Sequence, residues 1–331
     1  MVKREGDNIL RREFINRSLK ACVSIAFAGA ASYLLYDPYG PSGDEIYQDL
    51  VTLPNFSVNP ISGKTMCVVR GFNRGDGLER AIKLLGGIER FVKQGETVAI
   101  KPNVAFASSP ELGATSHPHL ISALVRLCFK ARARAVIILD NPINAPASCF
   151  YLSGIEKAAQ ESGAQIILPK EAFFKYTSLE NGRLIHEWPV FFDPLIKADK
   201  LIGVAPIKSH HRSGASMIMK NWYGLLGGRR NIFHQDIHTI ISELSQLVRP
   251  TLVVLDGTYV MMNNGPTGGS ISDLKSMETL IVSCDQVAAD SFGSGLLGLS
   301  KVELPHIIKA EMAGVGTSDY HSLKPIFVNS S

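Results

Sequence analysis

The stretch Lys208–His238, KSHHRSGASMIMKNWYGLLGGRRNIFHQDIH, is the densest concentration of ionisable chemistry in the chain. It carries Lys208, His210, His211, Arg212, Lys220, Arg229, Arg230, His234 and His238, and so four of the nine histidines. Imidazoles move protons near neutral pH or ligate metals. Lysine and arginine clamp carboxylate or phosphate. Gly224, Gly227 and Gly228 let backbone amides come close to an anion. A solvated basic loop would carry the same charges, but Met217–Met219 and Trp222–Leu226 are too apolar for one. His234 and His238 stand four apart, which puts two metal ligands on one helical face; one exposed turn of helix gives the same spacing.

The other chemical groups share a position: each ends a short apolar run. Thr97–Ile100 ends in Lys101-Pro102-Asn103, and Ala135–Leu139 in Asp140. Lys200–Ala205 leads into Lys208 and His210, Thr251–Leu255 into Asp256-Gly257, and Thr279–Ser283 into Asp285. Runs of this length are buried strands, joined by Thr65–Arg70 and Gln165–Leu168. Amphipathic stretches at Leu78–Val92, Pro118–Ala131, Gly154–Gln160, Asp236–Leu247 and Gln286–Leu297 alternate with them. The expected fold is therefore α/β, a mostly parallel sheet with helices on both faces and an antiparallel hairpin insertion near 173–192. Ligands of such sheets bind outside the carboxyl ends of the strands. Lys101, Asp140, Lys208, His210, Asp256 and Asp285 should then meet on one rim. Asp and Asn also serve as turn formers and helix caps in such places, and that reading stays open for the three carboxylates. A lysine closing a buried strand is harder to explain without an anion. His117, in Thr115-Ser116-His117-Pro118, falls at a helix N-terminus, where the dipole disfavours the imidazolium and suits acid/base work. Gly265 and Gly268, in the loop Met261–Ser270, could form an anion-binding nest or a plain turn.

Composition excludes several classes. The 331 residues are 45% hydrophobic and 8% aromatic, which is neither a disordered chain nor a polytopic membrane protein. Residues 1–31 hold six Lys/Arg against three Asp/Glu and so account for three of the four net positive charges. The nearly neutral remainder is a poor match for nucleic acid. No P-loop, G-x-S-x-G elbow or H-E-x-x-H is present, and Gly71–Gly77 lacks dinucleotide spacing. Of five cysteines, Cys67, Cys128 and Cys284 lie in apolar runs, while Cys149 lies in what reads as a loop and could be reactive. No C-x-x-C pair occurs.

The N-terminus has a basic region to Lys20, an apolar run Ala21–Leu35, and a helix-breaking Asp37–Ser42. Fifteen apolar residues match a signal-peptide core and fall short of a bilayer span. Arg11-Arg12-Glu13-Phe14-Ile15 resembles the twin-arginine export motif, departing from it at Leu10 and Asn16. The expected organisation is a signal or anchor at 1–36, a linker at 37–63 and one α/β domain at 64–331. Export through the twin-arginine translocase to the periplasm or another extracytoplasmic space follows, with the membrane touched only through this segment. Cleavage and retention as an anchor both remain open.

Lys101-Pro102-Asn103, Thr115-Ser116-His117-Pro118, Lys208-Ser209-His210, Lys220-Asn221-x-x-Gly224, His234, Asp256-Gly257, Gly265-Pro266-x-Gly268 and Asp285-x-x-Ala288-x-Asp290 occur in this order. Together they resemble the family named domain of unknown function 362, over roughly residues 65–300. Many relatives carry a ferredoxin-like segment with cysteine-ligated clusters; this chain lacks those cysteines, so no iron–sulfur cluster is carried over. A second resemblance is to lactate racemase-type proteins, which use a nickel-pincer nucleotide. They carry an acid/base His, a second His followed ten residues later by a cofactor-attaching Lys, and a nickel-ligating His. His117, His210, Lys220 and His234 follow that order, although Lys-Asn-Trp-Tyr-Gly departs from the racemase pattern. The expectation is an enzyme of isomerase or oxidoreductase type acting on a small anionic substrate. His117 and His210 would transfer protons. Lys101, Asn103, Lys208, Lys220, Asn221, Gly224, Gly265 and Gly268 would bind the ligand or cofactor. His234 and Asp256 would bind a metal. The alternative is a non-catalytic protein that holds a ligand, metal or cofactor for another exported enzyme.

Overall fold

A computed structural model describes residues 11–35 and 49–329. The chain divides into two units, the first ending at Gln48 and the second beginning at Asp49. The first contains helix α1 (Arg11–Leu35). No described helix is long and apolar enough to cross a membrane. The break expected at Asp37–Ser42 lies outside the described residues.

The second unit is built on strands β1 (Met66–Arg70), β2 (Thr97–Lys101), β3 (Ala135–Leu139), β4 (Gln165–Ile167), β5 (Phe174–Thr177), β6 (Trp188–Phe191), β7 (Lys200–His210), β8 (Gly214–Ser216), β9 (Leu252–Met261), β10 (Leu274–Ser283) and β11 (Ile326–Asn329). The main sheet runs β11-β1-β10-β9-β7-β2-β3-β4, with β8 on β7. The block β9-β7-β2-β3-β4 is parallel, as is β1 with β11, whereas β10 is antiparallel to both β1 and β9. The sheet is thus mostly parallel, as its β-branched runs imply. The pair β5–β6 is antiparallel but forms a small sheet of its own rather than an insertion in the main one.

Side-chain alternation divides the core in two. Val98, Ile100, Val136, Ile138, Ile202, Val204 and Val254 face one layer. That layer is α2 (Arg74–Leu84), α3 (Pro118–Lys130), α4 (Pro146–Leu152) and α5 (Ile155–Ser162). Ala99, Ile137, Leu201, Ala205, Val253 and Leu255 face the other. There lie α6 (Ile218–Asn221), α7 (Ile237–Leu247), α8 (Gln286–Leu296) and α9 (Pro305–Met312), with the β5–β6 hairpin. The segment expected as a linker is in part a strap: Leu53 and Phe56 are buried, and Phe56 pairs its amide with the Arg249 carbonyl. Cys149, expected in a loop, is fully buried in α4, and burial raises its thiol pKa; a reactive role is lost.

Two strands are longer than their apolar runs. β7 continues past Ala205 to His210 because Lys208–His210 pair with β8. β9 continues past Leu255 to Met261 because β10 pairs with it over most of its length. Lys208, His210 and Asp256 therefore sit within strands rather than after them. Asp285 is the N-cap of α8, accepting from the amides of Val287 and Ala288, both at 2.9 Å.

Candidate functional site

A cleft of about 880 Å³ opens over the carboxyl ends of β2 and β3 and the end of β7. Its far walls are the segment from Ser216 to His234 and the loop Asn264–Gly268. Of the residues anticipated from sequence, Lys101, Asn103, Lys208, His210, Lys220, Asn221, Gly224, His234, Gly265 and Gly268 all line it. Trp222 anchors the wall that carries Lys220 and Tyr223. Its ring is fully buried, its indole N–H donates to Gln286 Oε1 at 2.6 Å, and a Cβ on Gly203 would lie 2.5 Å from it.

The floor is a polar network. Lys101 and Asp140 are buried and paired at 2.7 Å. Lys101 also donates to Asn221 Oδ1 at 3.0 Å, and Asn103 donates to the same oxygen at 3.0 Å. Asp140 further accepts from the amides of Val104 at 2.7 Å and Asn141 at 2.9 Å. A Cβ at Gly224 would stand 1.8 Å from Asp140 Oδ1 and 2.6 Å from Lys101 Nζ, so the ion pair requires glycine there. Lys208 donates to the Ala114 carbonyl at 2.5 Å and to Asn103 Oδ1 at 3.3 Å. Lys220 sits over the Tyr223 ring at 4.9 Å and makes no ion pair or hydrogen bond among the described residues. Arg230 donates to the carbonyls of Tyr223, Leu226, Asn141 and Pro142, tying the two walls together.

This arrangement is short of negative charge. Three lysines and Arg230 line the cleft with Asp140 as the single carboxylate among the described residues. Burial, then the charges of Lys220 and Lys101, pushes Lys208 down to about 7, with Asp140 opposing. Burial, then Arg230, pushes Lys220 down to about 8. The buried Tyr223 hydroxyl has no hydrogen-bond partner among the described residues. Cations without counter-ions beside an unsatisfied O–H form a site for an anion.

Three histidines line the cleft, with His211 stacked on His210 at 4.9 Å between ring centroids, and His210 and His234 are held in opposite tautomers. His210 Nδ1 accepts from the amides of Arg212 at 3.1 Å and Ser213 at 3.2 Å, so its hydrogen is on Nε2. Burial and the charge of Lys220 depress it to about 2, which keeps it neutral. His234 Nδ1 lies 3.2 Å from the Asn231 carbonyl, which only accepts; Nδ1 therefore carries the hydrogen and Nε2 keeps its lone pair. Burial, then Lys220, lowers its pKa as well. The rings stack with centroids 6.3 Å apart. One is a fixed N–H donor and the other a base.

Other expectations do not meet in the cleft. Asp256 shares the parity of Val254 and so faces the α2/α3 layer, where it pairs with Arg74 at 2.6 Å. It cannot join His234 as a metal ligand. His117 caps α3, accepting from the His119 amide at 3.3 Å, and does not line the cleft. Burial and the charge of Arg74 push it down to about 4. His238 is not beside His234: it bonds the buried His306 of α9 at 3.0 Å, because His234 precedes α7 in a 3-10 turn. Among the described residues no three His, Cys, Asp or Glu side chains converge as metal ligands. Sequence reading missed Tyr223, whose phenol resembles any core aromatic until its O–H is seen unpaired. It also assigned no role to Asp290. Both carboxylate oxygens of Asp290 accept amides, from Ile218 and Met219 at 2.9 Å each, and so cap the short α6 that carries Lys220.

A thylakoid-associated protein of Synechocystis sp. is 23% identical to this chain over 251 residues, covering 72% of this chain and 74% of that protein. Among solved structures, the lactate racemase apoprotein of Thermoanaerobacterium thermosaccharolyticum aligns at 10% identity with a TM-score of 0.38, over 72% of this chain and 60% of the racemase. A Thermotoga maritima protein aligns at 11% identity and 0.38, over 75% of this chain and 61% of that one. The chain thus spans about three fifths of either solved protein. The family model described as "Domain of unknown function (DUF362)" matches residues 98–294, a span that contains every cleft residue named above, and the chain belongs to that family.

Proposed function

We propose that this is an exported protein whose cleft binds a small anionic substrate and moves a proton on it. The carrying observation is the charge imbalance: Lys101, Lys208, Lys220 and Arg230 face a single carboxylate, Asp140. A carboxylate or phosphate would meet Lys208, Lys220 and the Tyr223 hydroxyl. His234 Nε2 would take a proton from a carbon or oxygen next to the anionic group. His210 Nε2–H would donate a hydrogen bond to the charge that develops. This is chemistry of isomerase type, with His234 replacing His117 as the base.

A nickel-pincer-type nucleotide, implied by the racemase resemblance, fits the cleft only in part. His234 has a free nitrogen for a metal, Lys220 has a free amine, and the lysines suit phosphate. His117 does not line the cleft, and His210 presents a hydrogen rather than a lone pair. Such a group would supply a redox or Lewis-acid centre, and no step of the proposed chemistry runs through it.

The test is solvent exchange. The purified chain is incubated in D₂O with a panel of small hydroxy acids, oxo acids and phosphate esters, and carbon-bound hydrogen is followed by NMR. Washout that disappears in His234→Asn, with the melting transition kept, supports the reading. Ligands that raise the melting temperature without any washout favour the non-catalytic holding protein instead. No stabilisation by any anion refutes both. Export rests on the basic region and Arg11-Arg12-Glu13-Phe14-Ile15. A reporter fusion should reach the periplasm through the twin-arginine translocase and stay behind in Arg11→Lys/Arg12→Lys.

A further inference from the structure

The three cleft lysines occupy three different states. Lys101 is neutralised by Asp140 at 2.7 Å. Lys208 spends its hydrogens on the Ala114 carbonyl and Asn103. Lys220 has neither a carboxylate nor a hydrogen-bond acceptor among the described residues, and its amine lies over the Tyr223 ring. The phenol of that ring is, with the hydroxyls of Thr115 and Thr258, one of three buried O–H groups without a partner among the described residues. A half-buried amine beside Arg230, with no acceptor for its hydrogens, gives up its proton more readily than a free lysine and so offers its lone pair in part of the population.

We infer that Lys220 is an imine-forming nucleophile toward small carbonyl acids of the 2-oxo acid class. The inference rests on the reading of the cleft as an anion site, in which Lys208, with one ammonium hydrogen left over from Ala114 and Asn103, would hold the carboxylate. The neutral amine adds to the carbonyl carbon, forming the C–N bond and moving the carbonyl π electrons onto oxygen. Proton transfer from nitrogen to that oxygen gives a neutral carbinolamine. The C–O bond then breaks: the hydroxyl leaves as water, taking one proton from solvent water. The nitrogen lone pair forms the C=N bond, and the second N–H proton returns to the hydroxide so formed. Overall one amine and one carbonyl give one imine and one water, and no redox partner is needed. The imine acidifies the adjacent C–H bond, which is the proton His234 Nε2 can take. The other residues of the cleft keep their roles.

The test uses the full chain with pyruvate as probe. Borohydride adds hydride to the imine carbon and solvent supplies the proton on nitrogen, so the adduct becomes a stable secondary amine seen in the intact mass. One reduced pyruvyl group per chain, mapped to the peptide containing Lys220, is expected. Lys220→Arg, which keeps the length and bulk of the side chain but has no nucleophilic amine, should lower the trapped fraction by at least about tenfold. Thermal shift with pyruvate is read on the same samples. Stabilisation without a trapped adduct overturns the imine and leaves the anion site intact. Neither stabilisation nor adduct overturns both. An adduct spread over several lysines, or undiminished in Lys220→Arg, also overturns the assignment.

Discussion

Asp140→Asn is the sharpest perturbation of the cleft, because it keeps shape and removes one charge. The carboxylate receives three donors: Lys101 at 2.7 Å, the Val104 amide at 2.7 Å and the Asn141 amide at 2.9 Å. An amide side chain has one oxygen, so its NH₂ group must face one of these donors. Lys101 is left buried without a counter-ion, and burial already lowers its pKa against the pull of Asp140. Breaking one partner of a buried pair costs about 3–5 kcal/mol. Release of the Lys101 proton holds the cost toward the lower figure. At ~2–4 °C per kcal/mol for a chain of this size, the melting temperature should fall by roughly 6–20 °C. Phosphate should then raise it more in the variant than in the natural chain, because the anion supplies the missing charge; saturation at a hundredfold over Kd adds about 2.7 kcal/mol. Differential scanning fluorimetry across a phosphate series measures both effects. A variant that melts within about 1 °C of the natural chain, with an unchanged phosphate response, would refute the view that this ion pair is buried and that the cleft lacks negative charge.

Gly224→Ala should damage the same ion pair from the other side, since its Cβ would fall 1.8 Å from Asp140 Oδ1; a loss of about 1–3 kcal/mol is expected by urea melts, and an unchanged midpoint would contradict the close approach. Gly203→Ala should displace Trp222, whose ring is 2.5 Å from the new atom, and lower anion affinity together with stability; near-UV circular dichroism reports the indole. Stability should fall as the pH drops below 6.5. His210 at about 2, His306 at about 3 and His117 at about 4 are all depressed in the fold, so the unfolded chain takes up their protons first. Their stabilising share is present above 6.5 and is lost toward 4 at up to ~1.4 kcal/mol per pH unit per proton. Asp290, raised to about 7, and Asp285, raised by burial, pull the other way, but His234 and His238, both lowered by burial, add to the three, so the imidazoles outnumber the carboxyls. A urea midpoint that stays flat from pH 6.5 to 4.5 would count against buried neutral imidazoles.

Much of the architecture was legible because its signals are local. Buried parallel strands must be short and β-branched, and Thr97–Ile100 and Ala135–Leu139 admit no other reading. The rim lysines were legible for a related reason: Lys101 and Lys208 follow apolar residues too closely to escape burial. Asp256 went astray because strand length depends on a partner. Nothing inside Thr251–Met261 says that β10 will pair with it to the end, and one residue of extension decides which face a side chain takes. His117 was expected at a helix N-terminus and is found there, yet it joins Arg74 and Asp256 rather than His210.

The chemistry of the imidazoles of His210 and His234 was illegible for a deeper reason. Composition marks His210 and His234 as equivalent, and spacing made His210 the proton carrier. What separates them is backbone geometry. Two amide hydrogens converge on His210 Nδ1, and one carbonyl meets His234 Nδ1. The first contact makes a permanent donor and the second frees a base. A pH-rate profile should therefore follow the base alone. In Lys220→Met the charge that lowers His234 is gone, so the His234 ring, followed by NMR titration, should titrate at higher pH. In His210→Gln, which keeps an N–H donor, the acid limb of the rate profile should remain at the same pH. A shift of that limb in His210→Gln and none of the His234 titration in Lys220→Met would reverse the assignment and return the proton-transfer role to His210.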